Sequence, residues 1–315
     1  MRAVRFHAPG DLRVEEVPDP VADEGDLLVR VEVALTDATD LKAFRQGHPL
    51  LLAETPSPFG HEFCGIDVAT GRRVVAANSA PCDSCPACER GQETLCDNLL
   101  PLLNGAYAEL LVVPERIARV NLHAVPAGLA PKIAALVEPL ACCLHGVERA
   151  ELRGGEAVAV LGAGPLGLML CACIADAGAT AVVVGGRAER RPLVPLFGGV
   201  VGDGRDADVV FDAAGTDTSW CQTQDLVRKG GRVVFFSGPP RDAMVELDAY
   251  RLHYEELTYV GAFHHTPRTV RAALAFLASA AYPWDRLLTH RIGLEELPSL
   301  FADPPRELLK AVVVP

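Results

Sequence analysis

The sequence predicts an α/β architecture, with a β-rich part first and a doubly wound parallel sheet after it. Three observations predict this. Residues 3–6 and 27–33 alternate apolar and polar side chains, the pattern of strands with one buried face. After about residue 130, apolar runs recur at 157–161, 181–184, 208–211 and 232–236, as strands covered on both faces require. Helix-like segments lie between those runs, and strand–helix alternation implies parallel strands joined by crossovers.

Along the chain, a loop region rich in Pro, Gly and Cys follows the first strands, from 78 to 104. Strand character returns at 105–113, and 131–148 reads as helix. The tail from about 262 to 315 is too short to fold alone and is expected to rejoin the first part. There is no internal repeat and no low-complexity segment. At 315 residues, half of them apolar, the chain can bury two ordinary cores.

A formal net charge of −12 disfavours nucleic acid as a partner. Residues 1–7 lack the apolar run of a signal peptide, so a cytoplasmic location is expected. The stretch 157–186 carries only Asp176 as a charge and is long enough to span a bilayer, but Gly and Pro interrupt it. A buried strand–turn–helix–strand explains it better, and no membrane is expected as a partner. The ten cysteines are then expected to be reduced.

Gly162, Ala163, Gly164, Pro165, Leu166 and Gly167 form a G-x-G-x-x-G turn directly after the apolar run 157–161. In that context the first glycine makes the turn and the second lets the backbone approach a pyrophosphate. The third allows close helix–strand packing, and the helix N-terminus attracts the anion. A plain glycine-rich turn is the alternative. An NAD-binding chain usually carries Asp or Glu about 20 residues further on. Here the corresponding residues are Val184, Gly185, Gly186 and Arg187, followed by Arg190 and Arg191. With no carboxylate to repel a 2′-phosphate and Arg187 able to pair with it, NADP is favoured over NAD. These arginines are otherwise the solvated start of a helix.

Cys82, Cys85, Cys88 and Cys96 are spaced C-x2-C-x2-C-x7-C, close enough for four thiolates to surround one Zn²⁺. Disulfides and an iron–sulfur cluster are the competing readings, and a nucleic-acid-binding zinc ribbon is a third. Four protein ligands close the site, so the zinc would be structural. The other cysteines, at 64, 142, 143, 171, 173 and 221, mostly lie in apolar segments and read as small core residues.

Three further groups stand out: Thr36 to Lys42, Gly60-His61-Glu62, and Glu138-Pro139-Leu140-Ala141. Together with the four cysteines and the glycine turn, in this order, they make nearly the whole chain resemble the zinc-containing medium-chain dehydrogenase/reductase family of alcohol, polyol and threonine dehydrogenases. The resemblance implies a GroES-like catalytic domain at 1–141 and 262–315, with a structural-zinc lobe at 78–104, and a Rossmann domain at 142–261. It implies two zincs per chain, one structural and one catalytic, with Asp37, His61 and Glu138 as ligands of the second. Where the family usually has Cys, this chain has Asp37, a harder ligand that implies weaker zinc binding or tolerance of other metals. Glu62 would sit beside the metal, Asp40 would orient His61, Thr39 would match the hydroxyl of a proton relay, and Lys42 would end it. Gly162, Gly164, Pro165, Leu166, Gly167, Gly186 and Arg187 would bind the dinucleotide. His264 and His265 fall where the family chain crosses back, as either ligand contacts or structural residues.

The implied activity is hydride transfer between NAD(P) and a secondary alcohol, polyol or sugar-like substrate, in a homodimer or homotetramer. A zinc-independent NADPH-dependent enone or quinone reductase is the alternative on the same scaffold, and a non-enzymatic NADPH-binding protein is a second. The chain is shorter than typical members, with trimming near 65–75 and 192–204.

Overall fold

The computed structural model describes residues 1–48, 51–52, 54–239 and 243–315. The chain divides into two compact units, Met1–Glu138 with Thr266–Pro315, and Pro139–His265.

The first unit is built on a seven-stranded sheet. Its order is Leu288–Gly293, Lys310–Val314, Leu27–Leu35, Glu62–Asp67, Arg73–Ala76 and Leu122–Ala124, with Leu110–Val113 also pairing to Leu27–Leu35. The last strand of the chain lies inside this sheet, its Val312 opposite Leu35. A smaller sheet joins Asp11–Glu16, Arg2–Ala8 and Ser57–Pro58. Between the sheets lies an aromatic core in which Phe59 sits 5.9 Å from Phe6, 6.0 Å from Tyr107 and 6.1 Å from Phe301 by ring centroids. Each such ring, fully buried, contributes roughly 1.5–3 kcal/mol. Leu294, Leu297 and Phe301 of the tail are buried in the same cluster, which ties the tail to this unit.

In residues 78–104, a short helix Pro86–Glu89 and a 3₁₀ turn Glu93–Leu95 bring the cysteines together. Among the described residues, their shared core is Cys85, Ala87, Cys96 and Leu99 with a few partly buried neighbours. That is too little apolar surface to order a lobe without a staple.

The second unit is a six-stranded parallel sheet in the order Gly199–Val201, Thr180–Val184, Ala157–Leu161, Ala207–Asp212, Val227–Phe235 and Thr258–Gly261. Counted from its first strand, this is the order 3-2-1-4-5-6 of dinucleotide-binding sheets, whose switch point lies between strands 1 and 4. All its pairings are parallel.

Three details differ from the sequence expectation. The helix expected over 131–148 is two helices, Pro131–Ala134 and Val137–Arg149. Pro139 has no N–H and is tolerated only in a first turn, so a helix containing it must begin just before it. Second, the link after Thr180–Val184 is a 3₁₀ segment, Ala188–Phe197, with Pro192 and Pro195 inside it. Prolines at that spacing forbid an α-helix. Third, 199–201 forms a strand, and 202–206 then crosses the sheet with no helix at all. Glycine makes that crossing possible: a Cβ on Gly204 would lie 2.5 Å from Val184 and 2.9 Å from Ala159. Among the described residues, no helix is long and apolar enough to cross a membrane.

Candidate active site and cofactor turn

The first site forms where three strands of the first unit meet the start of a helix. Thr36 follows strand Leu27–Leu35, and Asp37 caps helix Ala38–Gln46 by accepting from the Thr39 N–H at 2.8 Å. The Asp37 N–H donates to Asp40 Oδ2 at 3.2 Å, completing a reciprocal cap. This geometry turns Asp40 inward, where it is buried. His61, just before strand Glu62–Asp67, places its Nδ1 2.9 Å from Asp40 Oδ1, and the Tyr107 hydroxyl donates to Asp40 Oδ2. With Nδ1 tied down, the His61 ring presents Nε2.

Glu62 is fully buried, and both its oxygens lie 2.7 Å from the ammonium of Lys310, itself fully buried. Lys310 also donates to Asp37 Oδ2 at 3.2 Å and to the Thr36 carbonyl at 3.0 Å. Glu138, at the start of its helix, is buried as well.

The electrostatics follow from burial and neighbours. Burial pushes the Asp37 carboxyl up, but Lys310, His61 and the Thr39 N–H overrule it and hold it below the ordinary carboxylate range. Burial pushes His61 down, yet Asp40, Glu138 and Asp37 carry it up to about 10. Burial disfavours the Lys310 ammonium, but Glu62 and Asp37 keep it charged. Burial raises the Tyr107 hydroxyl well above its ordinary value, and Asp40 adds to that, so it stays a donor.

Ligand atoms of Asp37, His61 and Glu62 lie within 4.8 Å of one another. Carboxylates and an imidazole with its far nitrogen anchored make a donor set that suits Zn²⁺. Thr39 is half-buried beside Asp40, while Lys42 is exposed further along the same helix. His48, which the sequence reading passed over, is half-buried; burial pushes it down, and the charges of His61, Asp40 and Lys42 act on it. Lys310 was also missed, although a lone cation in the apolar run 308–314 signals a buried partner.

In the lobe, the sulfurs of Cys82, Cys85, Cys88 and Cys96 all lie within 4.8 Å of one another. Those of Cys85 and Cys96 are 3.9 Å apart, near the ~3.8 Å edge of a tetrahedron with ~2.3 Å zinc–sulfur bonds. Backbone N–H groups of Cys82 and Asn98 donate to Cys96 Sγ, each at 3.3 Å, and that of Asp97 to Cys85 Sγ at 3.4 Å. The Asn98 amide and Ser84 hydroxyl donate to Cys82 Sγ and bring its thiol down to about 5. Burial pushes Cys88 up to about 12. Donors aimed at sulfur stabilise thiolates, and the four fit a zinc. Burial likewise pushes Cys64 and Cys171 up to about 12, and these lie outside the four-sulfur group as inert core thiols. Cys221 is exposed.

In the second unit, Gly162 (φ +108°) turns the chain after Ala157–Leu161, and Gly164 caps helix Pro165–Asp176 with Pro165 and Leu166 in its first turn. A Cβ on Gly167 would lie 2.1 Å from the Gly162 carbonyl oxygen, so only glycine fits. Gly185 and Gly186 both have φ near +70°, and a Cβ on Gly186 would meet Ala163 at 2.7 Å. A pocket of about 550 Å³ opens here, lined among others by Gly162, Gly186, Asp203, Arg205 and Thr216. Arg191 donates to the Gly185 carbonyl from Nε at 3.3 Å, and Arg187 is exposed at the head of the 3₁₀ segment. Arg190 places Nη1 3.9 Å from where a Cβ on Gly164 would be. His264 and His265 lie 4.0 Å apart between ring centroids with their planes tilted by 30°, and His265 is buried.

Residues 23–126 match the model of the alcohol dehydrogenase GroES-like domain, and residues 165–279 that of zinc-binding dehydrogenases. An erythritol/L-threitol dehydrogenase of Mycolicibacterium smegmatis is 31% identical over 94% of this chain and 92% of its own. The chain belongs to the zinc-binding alcohol dehydrogenase family. An L-galactonate-5-dehydrogenase of Escherichia coli K12 is 29% identical over 99% of this chain and 98% of its own. Among solved structures, a Sinorhizobium meliloti 1021 protein assigned as a zinc-binding dehydrogenase and bound to NADP superposes with a TM-score of 0.89. It is 30% identical, over 100% of this chain and 99% of its own. This family member is an oxidoreductase of alcohols that uses zinc and NAD(P), on a GroES-like and Rossmann scaffold. The zinc-independent reductase reading is not favoured.

Proposed function

We propose that this enzyme oxidises a secondary hydroxyl of a polyol or sugar-derived substrate, with NADP preferred over NAD, two zincs per chain and a homodimeric or homotetrameric assembly in the cytoplasm. The observation that carries the reading is the convergence of Asp37, His61 and Glu62 around one point, with His61 anchored by Asp40. The named polyol and sugar-acid dehydrogenases among the relatives support the substrate class.

Asp37 and His61 would hold the catalytic zinc, with Glu138 as the third ligand the family resemblance implies and Glu62 as the carboxylate that lies within 4.8 Å of both, and Cys82, Cys85, Cys88 and Cys96 would hold the structural one. Bound there, zinc supplies a Lewis acid for the substrate oxygen and NADP a hydride acceptor. Asp40 holds the imidazole in one tautomer and orientation. Thr39, half-buried beside Asp40, takes up the hydroxyl proton and passes it toward Lys42, whose exposure connects it to water. Glu62 would sit beside the metal with both oxygens on Lys310, whose ammonium opposes the burial that pushes this carboxyl well above the ordinary carboxylate range.

Gly162, Gly164, Pro165, Leu166 and Gly167 would receive the pyrophosphate. Gly186 leaves the end of its strand without a carboxylate, and Arg187 and Arg191 stand there to pair with a 2′-phosphate. The test is zinc per chain by elemental analysis in wild type and Asp37→Ala, with turnover of a polyol panel under NAD⁺ and NADP⁺. Two zincs falling to one, with turnover lost, is expected. One zinc in both proteins removes the catalytic metal from the reading.

A further inference from the structure

Where the family usually has a cysteine, this chain has Asp37, and Asp37 does not stand alone. Lys310 reaches it from the last strand of the chain, across 273 residues, and spends its remaining bonds on Glu62 and the Thr36 carbonyl. We propose that Lys310 is the positioning residue that makes an aspartate a workable metal ligand at this position. The inference rests on the metal-site reading above.

Three observations support it. First, the two Asp37 oxygens are held from different sides, Oδ1 by the Thr39 N–H at 2.8 Å and Oδ2 by Lys310 at 3.2 Å. A carboxylate gripped at both oxygens, with the Thr39 side chain as a further partner, keeps one rotamer. Second, Lys310 donates to both oxygens of Glu62, so the neighbouring carboxylate, which lies within 4.8 Å of the Asp37 and His61 ligand atoms, has its charge taken up where it stands. Without the ammonium, Glu62 would compete with Asp37 for the metal. Third, Lys310 is itself anchored by the strand: Thr36 and Ala311 exchange two bonds, the Thr36 N–H donating to the Ala311 carbonyl at 3.0 Å and the Ala311 N–H to Thr36 Oγ1 at 2.8 Å. The lysine therefore cannot drift without opening the sheet beside the ligand.

The opposite role is physically possible. An ammonium on Asp37 Oδ2 can instead compete with a cation for that carboxylate, and the two roles predict opposite signs. The experiment titrates zinc at the two sites by chelator competition in full-length wild type and Lys310→Met, with the cysteine lobe as internal control. Removing a group that orients a ligand typically weakens metal affinity roughly 10- to 100-fold. The expected result is that loss at the catalytic site, with the lobe unchanged, and a changed visible spectrum when Co²⁺ replaces zinc there. Unchanged or tighter binding overturns the proposal. Lys310→Met leaves Glu62 buried without its cation and so threatens folding. The charge-balanced Glu62→Gln/Lys310→Met variant avoids this, and wild-type affinity in it would also overturn the proposal. If wild type binds zinc only in the lobe, it is the metal-site reading that fails.

Discussion

Four carboxylates, of Asp37, Asp40, Glu62 and Glu138, share a buried region with one ammonium and one imidazole. The excess of negative charge explains why His61 holds a proton so firmly without metal. Its value rises from 6.5 to about 10 although burial pushes the other way. A raised value means the stabilisation from charged His61 is fully present below about 6.5 and fades as pH climbs toward 10. Zinc needs the neutral imidazole, so it must displace that proton. At pH 7.5, zinc uptake at this site should release about one proton, read by calorimetry in buffers of different ionisation enthalpy. Uptake without release would remove His61 from the ligand set. The added thermal stability from zinc should also grow between pH 7 and 9. Asp37, Asp40 and His61 were legible because they sit in short contiguous motifs. Lys310 was not, because Glu62 lies 248 residues away and only the fold brings them together.

Elements carry the cofactor. The turn from Gly162 to Gly167 works because helix Pro165–Asp176 packs its Gly167 directly against the Gly162 carbonyl. Gly167→Ala places a methyl where a backbone oxygen stands, and backbone cannot swing aside as a flexible side chain does. Overpacking of this kind costs about 1–3 kcal/mol. The second unit should lose that much stability by denaturant titration, and NADPH should bind more than tenfold more weakly by fluorescence. In the proposed NADP complex Arg191 would offer a charge-assisted bond to the 2′-phosphate, worth about 1.5–3 kcal/mol when well formed and less at this exposed position. Arg191→Ala should therefore raise KM for NADP⁺ about tenfold and leave KM for NAD⁺ unchanged; equal effects on both would refute the 2′-phosphate role. The central strands and this turn were readable because apolar runs and glycine spacing are local signals. The strand Gly199–Val201 and the bare crossover behind it were not, since a three-residue strand has no period and the close approach at Gly204 exists only in three dimensions.

At the scale of the molecule, the first unit is discontinuous: it is left at Glu138 and rejoined at Thr266, and its sheet needs the final strand Lys310–Val314. The second unit is one continuous stretch with its own apolar cluster around Val210 and Val233. The chain has two tryptophans, and each unit holds one. Trp284 is buried in the first, while Trp220 stacks on Phe235 in the second at 4.0 Å between ring centroids. Single-tryptophan variants, Trp220→Phe and Trp284→Phe, thus report one unit each. Both proposed zinc sites belong to the first unit and the glycine turn to the second. A ligand that binds only the folded state stabilises what it binds, by about 2.7 kcal/mol at a hundredfold excess over Kd. Chelation should therefore lower the unfolding midpoint seen by Trp284 and leave that of Trp220 in place. NADPH should raise the midpoint of Trp220 first. If both signals move together under both treatments, the two units unfold as one cooperative body, and the separate assignment of metal and cofactor stability is wrong.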